Sequence, residues 1–300
     1  MKNLKSLSTF AVALGCFVLA STSMAAITDA AYRYGPEGRG IDNKIVDGPT
    51  LKVGTYNIGS ARISNVDDIA KAIMALDVDV LSLNEVDNKT ARSGKVDQAY
   101  EIAQRTGMYY AYGPTMDFEG GQYGIAILSK YPIVNQEVVK LPSDDQEPRI
   151  VLLAEIDVPQ MESSLIYMNT HLDFNENHQL QFKQIRAIND LAVANNSPQT
   201  INHFTTKVKI LAGDFNDTYN AQTLAELYRY WDLVATDNPY DMRSWPASNP
   251  SADLDHIFTN RGQQWEIQDV TVYQGDDLNI KWADTSDHVP VIATLKLIEQ

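Results

Sequence analysis

Cysteine is almost missing from this chain. One stands among 300 residues, Cys16, and it lies in the N-terminal apolar run. The remainder can therefore form neither a disulfide framework nor a thiolate metal centre, and with few clustered histidines a zinc site is excluded as well. Positive charge is scarce too: 24 Lys and Arg stand against 39 Asp and Glu, a formal net charge of −15. Such a surface repels polyanions and lacks the counterion-release affinity of a non-specific nucleic-acid binder. A local basic patch or a bound cation can still invert the field at one place, so a nuclease is disfavoured rather than excluded. No internal repeat, Gly/Ser tract or Pro-rich linker breaks the middle of the chain.

The N-terminus reads as a targeting segment. Met1 to Lys5 carries two lysines, Leu7 to Ala20 is apolar, and Ser23-Met24-Ala25 offers small residues for cleavage. This is the pattern of a secretory signal peptide, too short and wrongly flanked for a membrane span. Lipidation at Cys16 is opposed by the poor Ala13-Leu14-Gly15 context. The expectation is a signal peptide over residues 1–25, a polar leader over 26–50 and one domain over 51–300, in a secreted or periplasmic protein. Losing Lys2 and Lys5 with the signal takes the formal charge from −15 to −17. Without disulfides, stability must come from a large core.

Apolar residues at alternating and helical spacings mark the elements. Leu51 to Tyr56 reads as a buried strand, Val66 to Leu76 as a helix, and Val78 to Leu83 as a further strand. Gln98 to Gly107 reads as a helix ending on glycine. Gly124 to Leu128 and Ile133 to Leu141 are expected to pair through a turn at Tyr131-Pro132, and Ile150 to Val158 with Leu165 to Asn169 as a hairpin. A long helix over Gln179 to Ala194 precedes the strand Val208 to Ala212, and three strands close the chain: Leu254 to Thr259, Trp265 to Tyr273 and Val289 to Leu297. Two halves of this kind predict an α/β fold, two mixed sheets packed face to face with helices outside.

Polar residues fall repeatedly at strand ends, where a rigid sheet holds side chains over one cleft: Asn57, Glu85, His171, Asp214 and Asp255. Singly, each has an ordinary reading. An Asn after a strand is a turn former, Glu85 suits a helix N-terminus, and Asp287-His288 suits a surface. A calcium loop opening at Asp214 fails, because Tyr219 and Ala225 stand where its glycine and closing glutamate belong.

In order along the chain stand TYNIG, LSLNEVD, YGIAILSKYPI, MNTHLD, LAGDFND, DLDHIF and TSDHVPV. With these seven segments the chain resembles the endonuclease/exonuclease/phosphatase superfamily from about Leu51 to Leu297. The resemblance implies a four-layer sandwich and a metal-dependent phosphoesterase. Hard oxygen ligands suit Mg²⁺ or Mn²⁺. Glu85 is the first-choice metal ligand, with Asn57 as a second ligand or an amide that orients phosphate. Asp214 would orient or deprotonate the attacking water, and Asn216 would donate to phosphoryl oxygens. His288, oriented by Asp287, would be the general base or a phosphate-binding imidazolium. His171 would contact phosphate or help the leaving oxygen, and Asp255 would support a histidine or the metal. Arg149 is a further candidate for the phosphate, with a surface arginine as the alternative. Tyr123 is a candidate cleft residue, with a packed strand tyrosine as the alternative. His256, His178 and His203 read as structural.

The chain departs from the nuclease members at two places. SADLDHIF has no basic residue near its start, and Asp87 stands two places after Glu85 where a basic residue is common. Both losses remove contacts to a nucleic-acid backbone. GGQYGIAILS and Trp245-Pro246 resemble the bacterial and lipid-associated hydrolases instead. The expected partner is a small or lipid-linked phosphoester, with at most peripheral membrane contact, since no strongly apolar hairpin is present. A monomer is expected. The alternatives are an extracellular metal-dependent nuclease and a non-catalytic binding protein that kept the fold.

Overall fold

A computed structural model of the protein describes residues 48–193, 198 and 200–299. The segment expected to be a signal peptide, Cys16, most of the expected leader and Ala194 lie outside the described residues. Among the described residues no helix is long and apolar enough to cross a membrane.

One sheet contains β1 (Thr50–Asn57), β2 (Val80–Asn88), β3 (Tyr109–Phe118), β4 (Gly121–Ser129), β11 (Gln264–Val272) and β14 (Val291–Glu299), in the order β11-β14-β1-β2-β4-β3. The other contains β5 (Ile133–Lys140), β6 (Ile150–Ile156), β7 (Leu165–His171), β8 (Lys209–Asp214), β9 (Trp231–Val234) and β10 (Asp255–Asn260), in the order β5-β6-β7-β8-β10-β9. A short ribbon pairs β12 (Asp276–Asp277) with β13 (Ile280–Lys281). Each large sheet is antiparallel except for one central parallel pair, β1 with β2 and β7 with β8. A parallel pair requires a long crossover. Helix α1 (Val66–Leu76) supplies the first and α3 (Gln179–Val193) lies in the second, while α2 (Gln98–Thr106) follows β2.

The two-residue pleat sorts the apolar side chains into three buried clusters. Leu51, Val53, Leu152, Tyr167, Ile210 and Val291 meet between the sheets. On the outer face of the first sheet, Tyr56, Leu81 and Leu83 meet Ile69, Ile73 and Leu76 of α1 and Ile102 of α2. On the outer face of the second, Val151, Leu153 and Met168 meet Ile185 and Ile188 of α3. The result is helix, sheet, sheet, helix, the four layers expected.

Helix α1 starts where the Asn65 side chain accepts a hydrogen bond from the Asp68 N–H, and stops at Asp77, which takes a left-handed conformation. One strand expectation fails. Residues 121–129 and 133–140 do not pair, because β4 lies between β2 and β3 while β5 pairs with β6 in the other sheet. The chain changes sheets at Tyr131-Pro132 instead of folding back. Strands β3 and β9 carry no clear alternation and were not anticipated.

Candidate active site

Polar ties across the sandwich fix one end of it. Asn84, the residue before Glu85, donates through Nδ2 to Asn169 Oδ1 (3.2 Å) and to the Thr170 carbonyl (2.8 Å). Asn169 donates in return to the carbonyls of Leu83 (2.9 Å) and Ala126 (2.8 Å). Both amides are fully buried, and buried amides must be paired to avoid a desolvation penalty. The two sheets are thus locked in register just behind Glu85 and His171.

Within the second sheet, His171 lies opposite Asp214, and Asp214 opposite Asp255. Gly213 makes the first pairing possible. A Cβ there would sit 2.0 Å from the Thr170 carbonyl oxygen, so the glycine of LAGD is required by close strand approach. Glu85 reaches the same end by a β-bulge. Between the pairs Leu83–Ala126 and Val86–Gly124 the register of β2 shifts, and Glu85 has φ +53°. A left-handed glutamate inside a strand is costly, and such strain gathers at functional positions.

Asn57 joins the two flanks. Its Oδ1 accepts from the Gly59 N–H (3.0 Å), while Nδ2 donates to Glu85 Oε1 (3.2 Å) and Asp214 Oδ2 (3.0 Å). Both amide hydrogens and the oxygen are thus committed within the protein, so in this arrangement Asn57 ties Glu85 to Asp214 and offers neither a free amide hydrogen to a phosphate nor an uncommitted oxygen to a metal. The other Glu85 oxygen, Oε2, accepts from Arg62 Nη2 at 2.9 Å. Arg62 is itself fastened by Nε to the Gly59 carbonyl at 2.8 Å.

Opposite lies a dry cluster. Asp255 Oδ2 accepts from Ser244 Oγ and faces His288 Nδ1, each at 2.7 Å. His288 Nε2 and His171 Nε2 both stand 3.7 Å from Asp214 Oδ2. Burial alone would lower the His288 pKa, but the charges of Asp255 and Asp214, the Asp255 hydrogen bond and the Asp287 charge outweigh it, pushing it up to about 10. Burial and repulsion from Asp255 push Asp214 up to about 7, against the pull of His288, Asn57 and the Asn216 N–H. His171 goes the other way. Burial, then the charges of Arg149 and His288, hold it well below the usual histidine range. At neutral pH the site contains one imidazolium and one neutral imidazole. Asp255 Oδ1 and His171 Nδ1 are buried and find no hydrogen-bond partner.

Of the expected residues, Asn57, Glu85, His171, Asp214, Asp255 and His288 converge here. Asn216 lies beside them with φ +51°; its N–H donates to Asp214 Oδ1 (2.9 Å) and its Nδ2 to the Leu172 carbonyl (2.9 Å). That leaves one amide hydrogen uncommitted. Asp287 does not orient His288. Its carboxylate lies beside Ser286 Oγ (3.4 Å) and Gly59, and the ring of His288 turns to Asp255 on the opposite sheet. Arg149 is no surface arginine: it is 2% exposed, its Nε lacks a partner, and its guanidinium lies under Phe174. Tyr123 is buried beside it, and burial together with the charges of Glu85 and Glu147 raises its hydroxyl pKa. His256 is buried and bonds the Asp217 carbonyl at 2.9 Å.

Three contributors were not visible beforehand. Ser244 completes the Asp255 contacts, Arg62 pairs with Glu85, and Arg92 pairs with Asp87 through both Nε (2.7 Å) and Nη2 (2.8 Å). Arg92 thus brings a cation back to the place where Asp87 seemed to remove one. The only signal was a basic residue five positions further along a loop, and nothing local shows that it folds back.

Asp214, Asp255 and His288 bring three potential ligand atoms within 4.8 Å of one another. Because His288 Nδ1 is committed to Asp255 and the ring is cationic, this cluster suits proton handling better than ion binding. Glu85 fits a hard divalent cation: its carboxylate faces the cleft and already attracts a positive group, Arg62.

A two-sheet sandwich with carboxylates and imidazoles at the ends of its central strands is the architecture of a phosphoester hydrolase. The chain belongs to the Endonuclease/Exonuclease/phosphatase family, which it matches over residues 54–288; enzymes of this family are typically dependent on a divalent metal. It is 27% identical over 193 residues to the uncharacterized protein YbhP of Escherichia coli (strain K12), a match covering 63% of this chain and 68% of that one. Among solved structures, a functionally unknown conserved protein of Enterococcus faecalis V583 superposes with a TM-score of 0.64 at 16% identity, over 82% of this chain and 99% of the other. A mannosyl-6-phosphatase of Bacteroides thetaiotaomicron VPI-5482 does so with a TM-score of 0.61 at 16% identity, over 82% and 99%. At these identities the superpositions establish the fold.

Proposed function

We propose that the protein is an exported, Mg²⁺- or Mn²⁺-dependent hydrolase of a small or lipid-linked phosphoester. The observation that carries the reading is the Asn57 amide, which bridges Glu85 and Asp214 and so puts the cation ligand and the base candidate on one cleft. When bound at Glu85, the ion neutralises charge on the non-bridging oxygens. Asp214, with its pKa near neutrality, accepts the proton of the attacking water. Asn57 keeps that carboxylate aimed into the cleft, and the uncommitted amide hydrogen of Asn216 meets a phosphoryl oxygen. His288, cationic and steadied by Asp255, donates to the oxygens that gain charge. His171 is neutral, buried and beside Arg149, and contacts the phosphate on the leaving side. Arg149 adds its guanidinium there.

The acidic chain and the absence of Arg and Lys from SADLDHIF support a small phosphoester over a nucleic acid. A mannosyl-6-phosphatase among the structural neighbours is in keeping with this. Export rests on the N-terminal segment, and the mass of the protein recovered outside the cytoplasm checks cleavage near Ala25. The activity is tested with bis-p-nitrophenyl phosphate, sphingomyelin, phosphoinositides, RNA and plasmid DNA, each with Mg²⁺ and with EDTA. Hydrolysis of a small or lipid-linked ester that EDTA abolishes is expected. Rapid plasmid nicking at low enzyme would establish the nuclease reading instead. Activity unchanged in both Glu85→Ala and His288→Ala would leave a binding protein.

A further inference from the structure

Between β1 and α1 the chain makes a left-handed turn. Gly59, Ser60 and Ala61 take φ +53°, +54° and +53° in succession. Glycine accepts that torsion freely, whereas serine and alanine bring a Cβ too close to the backbone. Such a run persists only where its surroundings hold it. Two contacts of the turn reach the cleft. The Gly59 N–H donates to Asn57 Oδ1 at 3.0 Å, and the Gly59 carbonyl accepts from Arg62 Nε at 2.8 Å.

The hold is on Ser60, which is 3% exposed. Its Oγ accepts from Arg92 Nη2 at 2.9 Å, and its carbonyl accepts from Gln98 Nε2 at 2.7 Å. Both donors lead back to Asp87. Arg92 grips that carboxylate through Nε (2.7 Å) and Nη2 (2.8 Å), and Gln98 Oε1 accepts from the Asp87 N–H at 2.8 Å. The bonds close a ring from Asp87 through Arg92, Ser60 and Gln98 back to Asp87. Asp87 is fully buried and Gln98 nearly so, so each partner is costly to remove. Asp87 lies two residues beyond Glu85 in β2, and the ring therefore ties the turn to the strand that carries the cation ligand.

At Asn57 the turn has a definite task. A side-chain amide has one donating and one accepting end. With Oδ1 held by the Gly59 N–H, Nδ2 faces Glu85 and Asp214, and each carboxylate gains a donor. Once the turn uncoils, Oδ1 has no donor in place and the amide is free to rotate away from both.

The geometry points to Arg92 as a positioning residue of this cleft: with Asp87 it clamps the left-handed turn, and the turn fixes the amide that aims Glu85 and Asp214. The inference rests on the phosphoesterase reading above. Arg92 acts through Ser60, Gly59 and Asn57.

The test uses Arg92→Lys, Ser60→Ala and, as a control, Thr90→Ala, with thermal melts to check folding. Lysine keeps the charge beside Asp87 but lacks the fork that reaches Asp87 and Ser60 together. Ser60→Ala removes only the acceptor hydroxyl, so failure of one variant to fold leaves the other. Thr90→Ala strips the Thr90 Oγ1 bond (2.8 Å) from the same carboxylate and leaves the turn untouched. Two quantities are read: amide hydrogen exchange of Gly59 in EDTA, and kcat and KM for bis-p-nitrophenyl phosphate with Mg²⁺. In Arg92→Lys and Ser60→Ala, Gly59 exchange is expected to quicken about tenfold, as when one buried bond is lost. Their kcat is expected to fall about tenfold with KM within about twofold, because the carboxylates are misplaced rather than removed. Thr90→Ala should keep kcat within about twofold of wild type. Unchanged Gly59 exchange or unchanged kcat in the folded variants would overturn the inference, as would an equal loss of kcat in Thr90→Ala. The phosphoesterase reading would stand in each case. Should the wild type hydrolyse neither this ester nor those named above in a metal-dependent way, both fall.

Discussion

The two flanks of the cleft handle charge differently. On the β1–β2 flank, Glu85 is partly open to solvent and pairs with Arg62, whose side chain is about half exposed. On the β8–β10 flank, Asp214, Asp255 and His288 are almost wholly buried, and burial together with neighbouring charges shifts the protonation of Asp214 and His288. Exposed ion pairs are weak and readily exchanged, whereas buried charges are held by their partners and answer strongly to the loss of one. The wet flank is thus suited to accept and release a cation, and the dry flank to hold a proton ready. One cleft keeps two dielectric regimes a single side chain apart, with Asn57 between them.

The steepest way to break this comparison is to remove the dry flank's base. Asp214→Asn keeps the shape but cannot take a proton, and kcat should fall by about 10²–10⁴-fold in a steady-state assay. Fully retained kcat would place the base elsewhere. Next comes Asp255→Asn, expected to lower kcat by about 10²-fold and to move the His288 titration, followed by NMR, down towards the ordinary imidazole value. Burial already pulls that ring towards neutrality, and the substitution takes away the carboxylate that opposes it most. An unmoved titration would mean that Asp255 does not govern the ring. In the wild type, the direction of the two shifts predicts a bell-shaped profile. Activity rises with pH as Asp214 deprotonates, at about 7, and falls again as His288 loses its proton, at about 10. An acid limb that stays flat down to pH 5 with chemistry rate-limiting would refute the Asp214 assignment. Smaller still, Asn169→Ala should cost about 1–3 kcal/mol in denaturant unfolding, since the carbonyls of Leu83 and Ala126 lose their donor. The least change belongs to the wet flank. Arg62→Gln should tighten Mn²⁺ binding to Glu85 by no more than about fivefold in calorimetry, the worth of an exposed pair that the ion must displace. Weakened binding would show instead that Arg62 helps to hold the ligand in place.

Much of this was legible in the sequence for a local reason. Strands β1, β7 and β8 are largely apolar because both faces are buried, and the polar residue ending each marks where the sheet meets the cleft. Asn57, His171 and Asp214 could therefore be found by position alone. Residues that act through distant partners could not. Asp287 sits next to His288 in sequence yet serves it only weakly, because the ring crosses to Asp255, 33 residues away. Arg92 becomes part of the cleft only through a loop that folds onto Asp87. Tyr131-Pro132 reads equally well as a hairpin turn or a passage between sheets, and only packing chooses. Strand β3 was obscured because it is only partly buried and has no regular pleat of apolar residues.

The bulge in β2 has one more consequence. Two residues there, Asn84 and Glu85, answer a single residue of β4, Ile125. Shortening the chain by one position at this point would give an unbroken ladder with fewer strained torsions. The same deletion would take out either Glu85 itself or Asn84, whose buried amide ties the sheets through Asn169 and Thr170, so the extra residue lets one strand carry both the lock and the carboxylate.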